Sequence, residues 1–225
     1  MPPRPTPKPF SPATLAACLS LAVAATLAGC NIAGPAFYFL HGPEKIPRLY
    51  ELDKERPTVI FIDDRAMNVQ RTPTRERIAA AAERSLLDNG ALVRVIDSRS
   101  AAAIVTNEPR GELMAISEIG RAVGAEVVIY VTPDVFALST DGQTFEPIAR
   151  LRVKVLDAVS DARLWPETRE GHVLNVSASR KQGGNPSGAA EIREAEDKFA
   201  DLVGLRLAQM FYSREAETVS DERDR

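Results

Sequence analysis

The sequence predicts an α/β fold: a two- or three-layer sandwich around a mixed central sheet of about five strands, closed by a long C-terminal helix. Three observations carry that expectation. Continuous apolar runs rich in β-branched residues, Pro57–Ile62, Ala91–Asp97 and Ala125–Val131, have the character of strands buried on both faces. Between them lie stretches with apolar residues at helical spacing, stopped by Gly90 and Gly124. The period then changes, because Arg150-Leu151-Arg152-Val153-Lys154-Val155 alternates strictly, as an antiparallel strand covered on one side does.

Each element follows from local chemistry. After the first strand, Asp63-Asp64-Arg65 ends the run, and Thr72 offers an N-cap with Pro73 at the first helical position. Ile78, Ala82, Ser85 or Leu86 and Asn89 share a helical face, and Gly90 supplies a left-handed C-terminal residue. Ala91–Asp97 is the second strand. Residues 98–110 read as a loop with a short helical stretch at Ala101–Val105. A second helix is expected from Glu112 to Val123, with Leu113, Ile116, Ile119 or Gly120 and Val123 on one side. Ala125–Val131 is the third strand, and Pro133–Glu146 a connection carrying the turn signal Asp141-Gly142. The alternating strand pairs with a hairpin partner made of Leu164-Trp165-Pro166 and Gly171–Val176, which makes His172 an edge-strand residue. Residues 177–188 are a linker by composition. A long helix follows from Ala189 to Tyr212, with Ile192, Ala195, Phe199, Leu202, Val203, Leu207 and Met210 or Phe211 inward. Ser213–Arg225 is a charged tail.

The N-terminus carries a separate signal. Arg4 and Lys8 precede an apolar run from Ala13 to Ala28 that ends in Leu27-Ala28-Gly29-Cys30. A basic start, a short apolar core and small residues at the cut describe a secretory signal peptide. The run is too short and too interrupted, by Cys18, Ser20 and Thr26, for the roughly 20 apolar residues of a membrane span. A cysteine directly after the cut makes the segment resemble the lipobox of bacterial lipoproteins. That resemblance implies diacylglycerol and palmitate on Cys30, cleavage before it, and a lipid anchor in the cell envelope. Asn31 stands where enterobacterial lipoproteins kept at the inner membrane carry aspartate, which favours the outer membrane with the domain facing the periplasm. A non-lipidated signal peptide is the alternative.

The expected organisation is signal peptide 1–29, lipidated N-terminus and extended tether 30–56, α/β domain 57–212 and charged tail 213–225. Cys18 leaves with the signal, so Cys30 is the one cysteine of the processed chain and the domain must stand on an ordinary core. Removing Arg4 and Lys8 takes the formal charge from -3 to -5, a composition that argues against a nucleic-acid partner.

Three phrases connect the domain to known proteins. Leu86–Asp97 resembles a helix, small turn and strand ending in Asp. Ile119–Val131 resembles a helix, a Gly-Ala-acid turn and an apolar strand. Val153–Ala158 followed by Leu164-Trp165 resembles a strand, an Asp-Ala turn and a hairpin strand with Trp. In this order they resemble the periplasmic α/β domain shared by the N-terminal domain of TolB, the curli secretion lipoprotein CsgG and the penicillin-binding-protein activator LpoB. The resemblance covers 57–212. It implies a non-catalytic protein that recruits or scaffolds an envelope partner or its own copies. The long alternating hairpins with which the curli protein forms a pore have no counterpart in 134–145.

Candidate functional residues are few. Asp63-Asp64 follows a central strand, where two carboxylates could hold a metal or act as acid and base, or solvate and cap the loop. The chain has two histidines, His41 and His172, and no nucleophile elbow or phosphate-binding glycine loop. No cofactor and no metal is expected. Arg150, Arg152 and Lys154 form a cationic strand face, either solvated or binding an acidic protein, anionic lipid or the cell wall. Trp165 is either an exposed anchor for a partner or part of the core. A structural protein contacting cell wall is the alternative to protein binding, and an enzyme using Asp63 and Asp64 comes third.

Overall fold

The computed structural model describes residues 45–106, 113–141, 144–178 and 185–215. The signal segment, Cys30, His41, Gly142, Gly183-Gly184 and residues 216–225 lie outside them. The chain divides into two units. Of the smaller, residues 1–46 and 215–225, the described residues are the short strand β1 (Lys45–Ile46) and Glu215. The larger, Pro47–Arg214, holds the sheet, the helices and the core.

Within the larger unit β2 (Thr58–Ile62) is a central strand, its first four residues buried. Helix α1 (Thr72–Asp88) returns the chain to β3 (Val95–Ile96), parallel to β2 with Thr58 opposite Val95. Helices α2 (Ser98–Thr106) and α3 (Ile116–Ala122) lead to β4 (Val127–Ala137), parallel to β2 on its other side from Thr58↔Val127 to Ile62↔Val131. β5 (Ile148–Asp157) runs antiparallel to β4. Its far edge is shared by β6 (Arg163–Trp165) and β7 (His172–Ser177), and α4 (Ala189–Ala208) ends the fold. The six strands form one mixed sheet in the order β3-β2-β4-β5, with β6 and β7 both on β5. The predicted fold class is the observed one.

Side-chain alternation divides the core in two. Ile60, Ile129, Val131, Leu151, Val153 and Val155 face α1 and α4, meeting Ile78, Leu86, Phe199, Val203 and Leu207. Val59, Phe61 and Val128 face the opposite way, where Ala101 of α2 and Ile119 of α3 cover them. The short helices therefore cover β2, the start of β4 and the end of β5 at Leu156, and the outer face of the later β4, of Arg150–Lys154 in β5 and of β7 has no helix above it among the described residues. Two glycines permit close packing: a Cβ on Gly204 of α4 would lie 2.3 Å from the Ile78 carbonyl oxygen, and one on Gly120 of α3 would lie 2.5 Å from Val128 Cγ2.

Several elements differ from expectation, each for a visible reason. Thr72 is the first residue of α1 and not its cap; Arg71 is the extended residue before it, and the Thr72 hydroxyl accepts from Arg75 Nη2 at 2.8 Å. The second strand shrinks to Val95–Ile96, because the Ala91 and Val93 amides donate to Leu86 and Lys54 carbonyls at 2.9 Å instead of to a ladder. The segment after it is a full helix: Glu83 accepts from the Ser98 amide at 2.9 Å, a partner from α1 that satisfies the new helix's N-terminus. α3 begins only at Ile116, where Glu118 accepts from the Ala115 amide, and Leu113 is 71 % exposed instead of inward. β4 continues past Pro133 by placing a bulge between Pro133 and Val135, a position that needs no ladder donor. α4 stops at Ala208, and Ile192 near its start is 42 % exposed; Met210 and Phe211 are buried beyond the helix end.

Packing also begins earlier than Pro57. The Met210 carbonyl accepts from the Leu49 and Tyr50 amides at 2.8 and 3.2 Å, and Leu52 is buried. Residues 47–56, read from sequence as tether, thus belong to the packed unit.

Candidate binding face

The strand order β3-β2-β4 puts a topological switch point at the carboxyl end of β2, the place where α/β sheets bind ligands. β4 runs six residues beyond the Ile62↔Val131 pair. Asp63 and Asp64 sit here, and strand alternation sends their carboxylates apart. Asp63 Oδ2 accepts from Tyr130 Oη at 2.8 Å and from Arg65 Nη1 at 2.7 Å. Asp64, its side chain 1 % exposed, accepts from the Asn68 and Val69 amides at 2.8 and 2.9 Å and from Arg75 Nη1 at 3.3 Å. The pair does not converge on one point, and Asp64 folds the loop 64–69. Among the described residues no group of three or more His, Cys, Asp or Glu side chains is placed to hold a metal.

That loop has two unusual features. Met67 has φ 57°, a left-handed conformation that costs energy in a residue other than glycine, asparagine or aspartate. It is also 71 % exposed. Asn68 Nδ2 donates to the Pro133 carbonyl at 2.9 Å and so fastens the loop to β4 at the bulge.

The cationic strand face is real as geometry. The register sets Lys154 opposite Tyr130, Arg152 opposite Thr132 and Val173, and Arg150 opposite Val135 and Asn175, all on the uncovered side of the sheet. Arg152 Nε donates to Asp134 at 2.8 Å and Arg150 Nε to Asn175 at 3.2 Å. Tyr130, Thr132, Asp134, Arg152, Lys154, Arg169 and Glu170 line an open depression of about 410 Å³. Burial, then the nearby Arg163 and Arg152 charges, lower the Lys154 ammonium from its ordinary value, with Glu170 opposing. Burial pushes the Tyr130 phenol up; the bond to Asp63 adds to the rise and one to Thr132 opposes it. Tyr130 therefore stays a neutral donor to the Asp63 carboxylate.

Trp165 is not on this face. It pairs with Val155, whose side chain points to the other side, and its ring lies 5.9 Å from Tyr50, 5.0 Å from His172 and 6.3 Å from Phe211. The structure joins Arg150, Arg152 and Lys154 and separates Trp165 from them; Cys30 lies outside the described residues. Sequence reasoning missed Met67, Tyr130, Asp134 and Arg169. An aspartate directly after a strand was a legible sign of a side-chain-folded loop; nothing in the sequence brought Arg169 to β5.

No family model matches the chain, and no curated protein matches it. Among solved structures the chain is similar to a PelC dodecamer from Paraburkholderia phytofirmans, at 15 % identity and TM-score 0.41 over 78 % of this chain and 97 % of that one. It is similar to the C-terminal domain of LpoB from Salmonella enterica, at 11 % identity and TM-score 0.34 over 57 % and 86 %. It is also similar to TolB from Acinetobacter baumannii, at 14 % identity and TM-score 0.31 over 72 % of this chain and 31 % of that one.

Proposed function

We propose that this chain is a lipid-anchored envelope protein whose α/β domain acts without chemistry of its own, as a protein-binding or assembly subunit in the periplasm. The observation that carries the reading is the uncovered face of β4, β5 and β7, where Arg150, Arg152 and Lys154 stand on one side of a rigid sheet. The carboxylates that an enzyme would need are engaged elsewhere, Asp64 by backbone amides of its own loop and Asp63 by Tyr130 and Arg65. Two other features support the anchor. The lipobox places Cys30 seventeen residues before Pro47, a reach of at most about 60 Å that keeps the domain close to its membrane. Among the described residues no helix is long and apolar enough to cross a membrane. On this reading the lipid is diacylglycerol with palmitate-type chains, and the membrane is the outer one.

The test has two arms. Cells fed an alkynyl palmitate should label the wild type and not Cys30→Ala. Crosslinking in cells followed by mild detergent extraction should recover the chain with a stoichiometric protein, or with further copies of itself. An unlabelled chain recovered as a bare monomer that pellets with purified cell wall would replace this reading with a structural, wall-contacting one.

A further inference from the structure

The loop Asp63–Val69 spends conformational energy to hold one apolar side chain in water. Met67 is the large apolar residue of an exposed turn, Arg65 to Met67, in a loop held at Asp64, Asn68 and Val69. Asp64 accepts two backbone amides, Arg75 Nη1 donates to the Val69 carbonyl at 2.9 Å, Asn68 is tied to Pro133, and Val69 is buried. A left-handed backbone at a methionine, over-determined by its surroundings, is the kind of strain that persists at binding sites. Methionine suits that use, because its unbranched, polarisable side chain fills irregular apolar pockets.

The loop is continuous with the cationic face. Asn68 holds Pro133, the next residue is Asp134, and Asp134 accepts from Arg152. Beyond Arg152 lie Lys154 and Arg169, for neither of which an acidic hydrogen-bond partner is found among the described residues. An exposed apolar residue near three cations that Asp134 and Glu170 offset only in part is complementary to a pocket rimmed by acids. A lipid surface fits less well, since a headgroup layer offers charge but no pocket for one fixed side chain.

Resting on the protein-binding reading, we infer that Met67 and the Arg152–Lys154–Arg169 cluster form one docking surface for an envelope protein that presents an apolar pocket bordered by carboxylates. Met67 is the anchor, and the cations select the partner and set the register.

The experiment uses the full lipidated chain in its own membrane, with a photo-crosslinking residue at position 169, at 67, or at 193 on the exposed surface of α4 as control. Positions 67 and 169 should give an adduct with the same protein, 193 should not, and the captured peptide should carry clustered Asp and Glu. Met67→Gly relieves the backbone, so the urea midpoint should stay or rise while the adduct from position 169 falls about tenfold. With the crosslinker at 67, Lys154→Glu with Arg169→Glu should cause a similar loss, and raised salt should mimic it. The inference is overturned if the adduct is lipid, cell wall or a second copy, or if it survives both Met67→Gly and the charge reversals. If wild-type extracts still hold a stoichiometric foreign protein in those cases, the proposed function stands and this surface is wrong. If they hold neither a foreign protein nor further copies of the chain, both fail.

Discussion

Asn68 Nδ2 donates to the Pro133 carbonyl at 2.9 Å, joining the loop after the central strand to the bulge of its neighbour. The bulge leaves that carbonyl available, and Asp64 bends the loop so that Asn68 reaches it. Removing the amide with Asn68→Ala should cost about 1 kcal/mol. Asp64→Asn should cost more, about 2–3 kcal/mol, because an amide nitrogen cannot accept and a buried donor loses its partner. Urea unfolding with an unchanged denaturant dependence measures both. Equal losses would show that Asp64 does not organise the loop.

Gly204 tests the contact between α1 and α4. Alanine is the better helix former by about 1 kcal/mol, so an open site would gain stability. Here the added Cβ would meet the Ile78 carbonyl oxygen at 2.3 Å and the Ala81 Cβ at 2.7 Å. Gly204→Ala should therefore destabilise by about 1–3 kcal/mol, read from thermal unfolding. A neutral or stabilising result would mean that the helices stand further apart.

His172 gives the fold a pH dependence of known sign. Burial lowers its folded pKa from the ordinary 6.5, where it lies against Trp165. The unfolded chain then binds the proton more readily. Its contribution is complete above pH 6.5 and is lost as the pH falls through the folded value. The midpoint of urea unfolding should fall between pH 7 and 5, and His172→Gln should flatten that segment. Asp157 and Asp97, whose folded values are lowered by hydrogen bonds to backbone amides and to an arginine, act in the same direction only below the ordinary carboxylate value of 3.8.

Arg152 separates binding from folding. Its pair with Asp134 is half exposed, and such pairs contribute about 0–1 kcal/mol. Arg152→Glu should leave thermal unfolding nearly unchanged and make partner capture weaker and less salt-dependent. A large loss of stability would assign the residue to the fold.

What the sequence revealed and hid follows from the range of the interactions. Three apolar runs and one alternating run were enough for the strands and fold class, because strand burial is written in neighbouring residues. The alternation of Arg150, Arg152 and Lys154 located an uncovered face without any structure. Element ends were decided by distant partners: Glu83 starts α2, Lys54 takes the Val93 amide, and a bulge carries β4 past Pro133. Asp63 and Asp64 looked like a pair because they are adjacent in sequence, and alternation alone sends them to different faces. Trp165 found its packing in Tyr50 and Phe211, residues from the two ends of the packed unit, which no local pattern could have joined to it.

The most direct test of the account is the mass of the species that the lipidated chain forms in its membrane, measured after crosslinking in cells and mild detergent extraction, with its components sequenced. The account predicts one dominant complex of the chain with a foreign envelope protein in fixed ratio, reduced in Lys154→Glu with Arg169→Glu. A bare monomer, with the chain recovered on purified cell wall instead, would contradict it.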